Sequence, residues 1–414
     1  MSVEKLGQKA KLAAAQMAVL GSQEKNQALL AVAEALLAKK DEILAANAID
    51  MEKAEENGVR GSLLDRLLLT AERIDGIAEG VRQTAALNDP VGEVLWMRTH
   101  PNGMVYGQKR VPIGVLGMIY EARPNVTVDA FALSFKSGNA VILRGGKEAF
   151  ETNQVFVKII KEALAEADSV PESVQMLEDP SRETATKLMQ LNEYLDVLIP
   201  RGGAGLIQSV IKNASVPVIE TGVGNCHIFV DESANLLKAK PIVINAKVQR
   251  PGVCNALETL LVHEAVADAF LPEMMAELEA KGVELHGDER VCALNEKVIP
   301  ATEWDWENEY LDLKLAIRVV ANVEEAIAHI AKYSTKHSEA ILTESYSASQ
   351  KFLNEVDAAA VYVNASTRFT DGSEFGFGAE IGISTQKLHA RGPMGLEALT
   401  STKYVIYGDG QIRG

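Results

Sequence analysis

The stretch PIGVLGMIYEARPNVTVDAFALSFKSGNAVILRGGK, residues 112–147, decides the fold. Ile113 to Ile119 and Ala140 to Leu143 are short apolar runs with a helical stretch between them, the pattern of a strand, a crossover helix and a parallel strand. The same alternation continues outward with strands expected at Val174 to Leu177, Val197 to Ile199 and Val216 to Ile219. A second α/β set follows, at Cys226 to Val230, Leu257 to Val262, Leu315 to Val320, Glu339 to Leu342 and Ala359 to Val363. Upstream, Val3 to about Ala86 repeats its apolar residues at helical spacing among Ala, Leu, Glu and Lys, which predicts several consecutive helices. Val91 to His100 and Met104 to Val111 flank Pro101-Asn102-Gly103, a turn tripeptide that predicts a two-stranded ribbon. Asp371 to Gly395 reads as a long Gly-rich functional loop, and Lys403 to Tyr407 as a last strand that extends the ribbon, in this chain or in a partner subunit.

Bulk composition excludes several classes of function. A chain of 414 residues, 47% of them hydrophobic, buries large cores and spans two or three domains. Its net charge of −16, with no local cluster of Lys and Arg, speaks against nucleic-acid and anionic-membrane partners. Cys226, Cys254 and Cys292 form no close pair, so neither a disulfide framework nor a CxxC motif is available, and a reducing, cytoplasmic setting fits. The opening MSVEKLGQKA lacks the apolar core of a signal peptide, and runs such as Val111 to Tyr120 fall short of the roughly 20 residues a membrane span needs. The seven histidines show no HExxH spacing, so no metal site is expected, and there is no GxSxG elbow, GxGxxG fingerprint or P-loop.

Three places carry candidate chemistry. Cys254 lies in Gln249-Arg250-Pro251-Gly252-Val253-Cys254-Asn255, where Pro and Gly set an irregular loop and Arg250 favours a thiolate; the bland reading is a small core residue. Cys226 adjoins His227 on a predicted strand, so their side chains point to opposite faces and form no dyad; Cys226 and Cys292 are read as packing. Leu143-Arg144-Gly145-Gly146-Lys147 closes a strand with two cations where an NAD site holds an acid, which suits the 2′-phosphate of NADP(H) or, equally, a solvated loop. Pro200-Arg201-Gly202-Gly203-Ala204-Gly205 is a second Gly-rich turn that opens a helix, where backbone amides suit a phosphate.

The order of Tyr120-Glu121-Ala122-Arg123-Pro124-Asn125-Val126-Thr127, Leu143 to Lys147, Ile219-Glu220-Thr221-Gly222-Val223-Gly224-Asn225, the Cys254 loop, Gly376-Phe377-Gly378-Ala379-Glu380 and Lys387-Leu388-His389-Ala390-Arg391-Gly392-Pro393 resembles the gamma-glutamyl phosphate reductase family of the aldehyde dehydrogenase superfamily. The resemblance spans essentially the whole chain. It implies an α/β aldehyde dehydrogenase-like fold: a Rossmann-like cofactor domain (1–90 and 107–225, with 371–398 returning to it), a catalytic α/β domain (226–370), and an oligomerisation β-ribbon (91–106 and 399–414). It further implies Cys254 as nucleophile and Asn125 as an oxyanion donor beside the nucleophile's own N–H. Glu220 aligns with the glutamate that activates water in hydrolytic relatives, and Glu309 sits where many relatives carry a cofactor glutamate, here without the following Gly-Pro.

On that resemblance, the Cys254 thiolate attacks L-glutamyl 5-phosphate, expels phosphate, and leaves a thioester that NADPH reduces to L-glutamate 5-semialdehyde, the second step of proline biosynthesis. Arg144, Lys147, Gly202, Gly203 and Glu309 are the candidate cofactor contacts, and Arg123 and Arg250 the candidate cations for the substrate's carboxylate and phosphate. A homo-oligomer and an association with glutamate 5-kinase are the expected partnerships. The alternatives are a hydrolytic or acyl-CoA-linked aldehyde dehydrogenase and a non-catalytic scaffold.

Overall fold

The computed structural model describes every residue except Ala122 and Gly414, and Ser62 and Leu63 in their main chain only. Ala122, in the motif quoted above, and Gly414, the last residue assigned to the ribbon, therefore lie outside the described residues. The chain divides into two compact units, Met1–Thr221 with Gly376–Gly382 and Met394–Gly414, and Gly222–Phe375 with Ile383–Pro393. The loop from 371 to 395 is thus shared between them.

The first unit opens with five helices, α1 (Val3–Met17), α2 (Ser22–Ala38), α3 (Lys40–Glu56), α4 (Ser62–Leu67) and α5 (Ala71–Ala86). Side-chain caps begin the first and last of them: Ser2 accepts the Lys5 amide and Thr70 the Arg73 amide. Strands β1 (Val94–Thr99) and β2 (Val105–Pro112) form the expected ribbon. Its turn is wider than a two-residue Asn-Gly hairpin. His100 and Met104 close the loop, and of the turn residues only Gly103 takes a positive φ, +91°.

The deciding stretch folds as read, with β3 (Val115–Tyr120), α6 (Asn125–Lys136) and β4 (Ala140–Arg144), followed by α7 (Phe150–Glu166), β5 (Val174–Met176), α8 (Arg182–Met189), β6 (Val197–Arg201) and α9 (Ala204–Asn213). The strands make a parallel sheet in the order β5-β4-β3-β6. The strand expected at Val216 to Ile219 is reduced to one bridge, Val218 to Leu198, because Pro217 has no N–H with which to continue a ladder.

The second unit is built on seven parallel strands: β7 (Cys226–Val230), α10 (Leu236–Val248), β8 (Leu257–His263), α11 (Glu264–Ala280), β9 (Glu284–Gly287), α12 (Glu289–Leu294), β10 (Ile299–Pro300), α13 (Glu303–Glu307), β11 (Lys314–Val320), α14 (Val323–Tyr333), β12 (Ser338–Leu342), α15 (Tyr346–Glu355) and β13 (Ala360–Val363). Their order is β10-β9-β11-β8-β7-β12-β13, and every residue of the central β8 is buried. Alternate side chains feed two cores. Ile228, Val230, Leu260 and Val262 pack with Phe270 and Met274 on one face, while Phe229 and Leu261 pack with Ile341 and Phe352 on the other. A short pair, β14 (Ile383–Ser384) with β15 (Gly392–Pro393), follows.

The last strand, β16 (Thr400–Tyr407), pairs antiparallel with β2 of its own chain along its whole length, so the ribbon is three-stranded within one molecule. Among the described residues no helix is long and apolar enough to cross a membrane.

A buried ion pair ties the helical lead-in to α6, whose first turn carries Asn125. Lys25, fully buried, meets Asp89 at 2.6 Å and donates to the Lys136 carbonyl at 3.2 Å, while the Lys136 ammonium donates to the Ala85 carbonyl at 2.7 Å. Asp89→Asn leaves the Lys25 charge uncompensated in the interior, and urea denaturation is expected to register a loss of about 3–5 kcal/mol. A loss below about 1 kcal/mol, the range of an exposed pair, contradicts a central role for this pair.

Candidate active site

In the first unit the functional candidates gather at the carboxyl edge of one sheet. The segment after β3 holds Arg123 and Asn125, β4 ends at Arg144, and β6 runs into Gly202 and Gly203. Adjacent parallel strands deliver these residues side by side, at the edge where open α/β sheets bind ligands.

Arg144 is half-buried, donates from Nη2 to the Pro180 carbonyl at 2.7 Å, and keeps its Nε buried without a partner. Burial lowers its pKa, against the opposing pull of Glu148 and Asp179. Lys147 is exposed at the start of the turn that leads into α7. A side chain at Gly202 would have to displace Glu121, since a Cβ there would lie 2.6 Å from the Glu121 carboxyl carbon. Gly203 caps α9, and its amide donates to Glu121 at 3.1 Å, so a carboxylate already occupies the helix terminus where an anion is favoured.

Asn125 begins α6, and its amide donates to Asp129, one turn on, at 2.9 Å. That bond fixes the amide plane and leaves the second N–H for another acceptor. Burial pushes the Asp129 carboxyl up to about 6, opposed by the Asn125 bond and by Arg201.

In the second unit the chemistry gathers at the amino ends of the strands. Cys254 lies just before β8, partly exposed, on the loop that leaves α10 at Gln249. The thiol of Cys226, at the start of the neighbouring β7, donates to the Cys254 carbonyl at 3.2 Å. Cys226 is buried, and burial first and Glu339 second hold its pKa well above the usual thiol value, so it remains a donor. It is packing, as expected, but packing against the main chain of the candidate nucleophile. His227 points away and pairs with the buried Glu339 at 3.0 Å. Cys292 is half-buried against the core that holds Leu260 and Phe270, its thiol donating to the Gly287 carbonyl at 3.4 Å.

Gly224 presses on the same carbonyl: a Cβ at this position would fall 1.4 Å from the Cys254 oxygen. The Gly224 amide in turn donates to the Glu309 carboxylate. Burial raises the Glu309 pKa, opposed by the Gly224 amide and by Lys247. Glu309 therefore spends one oxygen on the strut behind Cys254.

On the other side Asn255 is buried and knotted to residues 367–370. Its amide donates to the carbonyls of Arg368 at 3.3 Å and Thr370 at 2.9 Å, and its own carbonyl accepts the Thr367 hydroxyl at 2.8 Å. The Arg368 guanidinium closes the knot, donating to the Asn255 side-chain oxygen and to Gln249 Oε1, the latter at 2.9 Å. Burial first and the neighbouring Arg250 second hold the Arg368 pKa down, while the charge of Cys254 pulls it up. Arg250 itself is exposed. Arg368 escaped the sequence reading; its signal, a lone arginine after the last strand of the second sheet, takes meaning only from the fold.

Residues 1–295 match the aldehyde dehydrogenase family. Gamma-glutamyl phosphate reductase of Enterococcus faecalis is 59% identical over 411 residues, covering 99% of both chains, and that of Moorella thermoacetica is 60% identical over 413, covering 100% of this chain and 99% of its own. The chain belongs to the gamma-glutamyl phosphate reductases of the aldehyde dehydrogenase family. The crystal structure of the Thermotoga maritima family member superposes with a TM-score of 0.98 at 53% identity, covering 100% of both chains. An acetylating aldehyde dehydrogenase of Geobacillus thermoglucosidasius, 18% identical with a TM-score of 0.69, covers 100% of this chain and 97% of its own and shares the fold. The aldehyde dehydrogenase-like α/β fold is thus established, and the chain is an enzyme of this family.

Two outcomes follow from the site geometry. Gly224→Ala displaces the Cys254 backbone by an ångström or so and is expected to lower kcat roughly 100-fold, the cost typical of such misplacement; an unchanged kcat removes Gly224 from the support of the nucleophile. The raised Asp129 pKa means that the folded state binds its proton more tightly than the unfolded state. Its stabilising contribution is complete below the ordinary carboxylate pKa near 4 and declines as pH rises through about 6. Asp129→Asn is expected to gain Tm relative to the parent between pH 4.5 and 7; a constant difference across that range contradicts the assignment.

Proposed function

We propose that the chain reduces L-glutamyl 5-phosphate to L-glutamate 5-semialdehyde with release of phosphate, the second step from glutamate to proline, through a thioester on Cys254. The observation that carries this reading is Cys254 itself: a partly exposed thiol, at the candidate-nucleophile position of the family, whose carbonyl is held by Cys226 and Gly224.

The thiolate attacks the acyl carbon, the carbonyl oxygen becomes an oxyanion, and the carbon–oxygen bond to phosphate breaks with the electron pair leaving on phosphate. Asn125, oriented by Asp129, and the Cys254 amide are the proposed oxyanion donors. Phosphate is a good leaving group, so the chain need supply no strong general acid. Arg123 and Arg250 are proposed for the substrate's two anionic ends.

The nucleotide-binding residues are proposed to be Arg144, Lys147, Gly202, Gly203 and Glu309. The orphaned Arg144 Nε, the exposed Lys147 and the side-chain-free approach at Gly202 suit a phosphate-bearing cofactor, and the two cations suit NADP(H). When bound, the nicotinamide supplies the hydride that reduces the thioester. The first unit is proposed as the cofactor domain, the second as the catalytic domain, and the ribbon as the oligomerising element. The apolar residues Val94, Leu95, Tyr404 and Ile406, exposed on its outer strands, support a homo-oligomer. Work in the cytoplasm, and in association with the kinase that makes the labile acyl phosphate, completes the proposal.

The reverse reaction tests it. With glutamate 5-semialdehyde and NADP⁺, NADPH formation is expected to require inorganic phosphate and to fall at least about 10³-fold in Cys254→Ser, as removal of a nucleophile does elsewhere. Asn125→Ala is expected to lower kcat by about 100- to 1000-fold, the usual effect of removing an oxyanion donor. Turnover without phosphate moves the chain to the hydrolytic enzymes of its family.

A further inference from the structure

Arg368 spans the loop that carries the nucleophile. Its Nε donates to Gln249 and its Nη1 to Asn255, the residues at the two ends of the segment that contains Arg250 and Cys254. Both acceptors are neutral amide oxygens. Among the described residues no carboxylate forms an ion pair with Arg368 or with Arg250, although the two guanidiniums lie close enough to repel each other and Asp371 lies within electrostatic reach. A half-buried guanidinium locked by neutral partners, beside a second cation and with an Nη2 fork uncommitted, presents planar donors to an anion that is yet to arrive. The Arg250 charge opposes that of Arg368, only partly offset by Cys254 and Asp371, and an anion placed between the two guanidiniums relieves the repulsion.

We propose that Arg368, acting with Arg250, binds the phosphate of the acyl-phosphate substrate and stabilises it as it leaves. This inference rests on the phosphorylating reaction proposed above. The substrate has two anionic ends, and geometry selects between them. The phosphate is bonded through oxygen to the carbon that Cys254 attacks, whereas the α-carboxylate lies at the far end of the carbon chain. A cation tied to both ends of the Cys254 loop therefore faces the phosphate. As sulfur bonds to the acyl carbon and the carbon–oxygen bond breaks, negative charge accumulates on phosphate, so donors already in place assist departure. In the reverse direction the same groups hold inorganic phosphate for attack on the thioester.

The full chain is assayed with glutamate 5-semialdehyde and NADP⁺ while phosphate is varied, in the parent, Arg368→Lys and Arg368→Gln. Loss of charged hydrogen bonds to phosphate is expected to raise the phosphate KM of R368Q about tenfold or more while the semialdehyde KM moves less than about twofold, with R368K in between. The rate of Cys254 alkylation by iodoacetamide is measured alongside and is expected to stay within a few-fold of the parent. An unchanged phosphate KM, accompanied by slower alkylation and lower kcat, reduces Arg368 to a clamp on Asn255 and overturns the proposal. Should the variants fail to fold, modification of the parent by phenylglyoxal decides: phosphate protects Arg368 if the proposal holds and leaves it unprotected if it does not. Phosphate-independent turnover by the parent would remove the functional reading and this inference together, whereas a phosphate-dependent parent with an indifferent R368Q removes the inference alone.

Discussion

The carbonyl oxygen of Cys254 accepts the Cys226 thiol and abuts a residue, Gly224, that has no side chain to give way. A nucleophile carried on a loop works only if that loop cannot drift, because the reacting sulfur has to approach a carbonyl carbon within a few tenths of an ångström of its line of attack. Behind Gly224 stands the Glu309 carboxylate, and on the opposite flank Asn255 is bound to residues 367–370 by main chain and side chain alike. The Cys254 main chain is thereby fixed by its neighbours on both flanks.

The parallel sheet explains why these distant segments meet. Cys226 pairs with Leu257 where β7 and β8 begin, so two cysteines far apart in sequence arrive at the same strand ends. Ser338 begins β12, the next strand, and links to Thr370 at 2.6 Å, which in turn bonds Tyr362 at 2.7 Å. The fully buried β8 gives the loop a rigid anchor, since its backbone is hydrogen-bonded on both sides and its side chains lock into two cores. The first unit uses its sheet in the opposite sense, with Asn125 and Gly202 following strands and Arg144 ending one.

Much of this was legible in the sequence. Apolar runs and their spacing located β3, β4, β6, β7, β8, β11, β12 and β13 within a residue or two, because strands buried on both faces have little choice but to be apolar. Pro217 cut short the strand expected at Val216 to Ile219, a local rule overlooked beneath an apolar pattern. The strands β9 and β10 went unseen because runs of four and two residues carry too little periodicity. The Asn102-Gly103 signal located the turn but not its width. In the candidate site, Cys254 and Asn125 entered as candidates through resemblance, whereas the bonds of Arg368 and the support given by Cys226 and Gly224 depend on contacts between strands and leave no local mark. Glu309, expected at the cofactor, is found bonded to the Gly224 amide that backs the Cys254 loop.

The most direct test of the central claim is to look for the acyl group on Cys254. The protein is mixed with glutamate 5-semialdehyde and NADP⁺ in the absence of phosphate, quenched in acid, and mapped by peptide mass spectrometry. A thioester mechanism predicts a glutamyl adduct on the Cys254 peptide, formed with one equivalent of NADPH and discharged when phosphate is added before the quench. Stoichiometric NADPH with no adduct at Cys254, or an adduct that phosphate leaves in place, would contradict it.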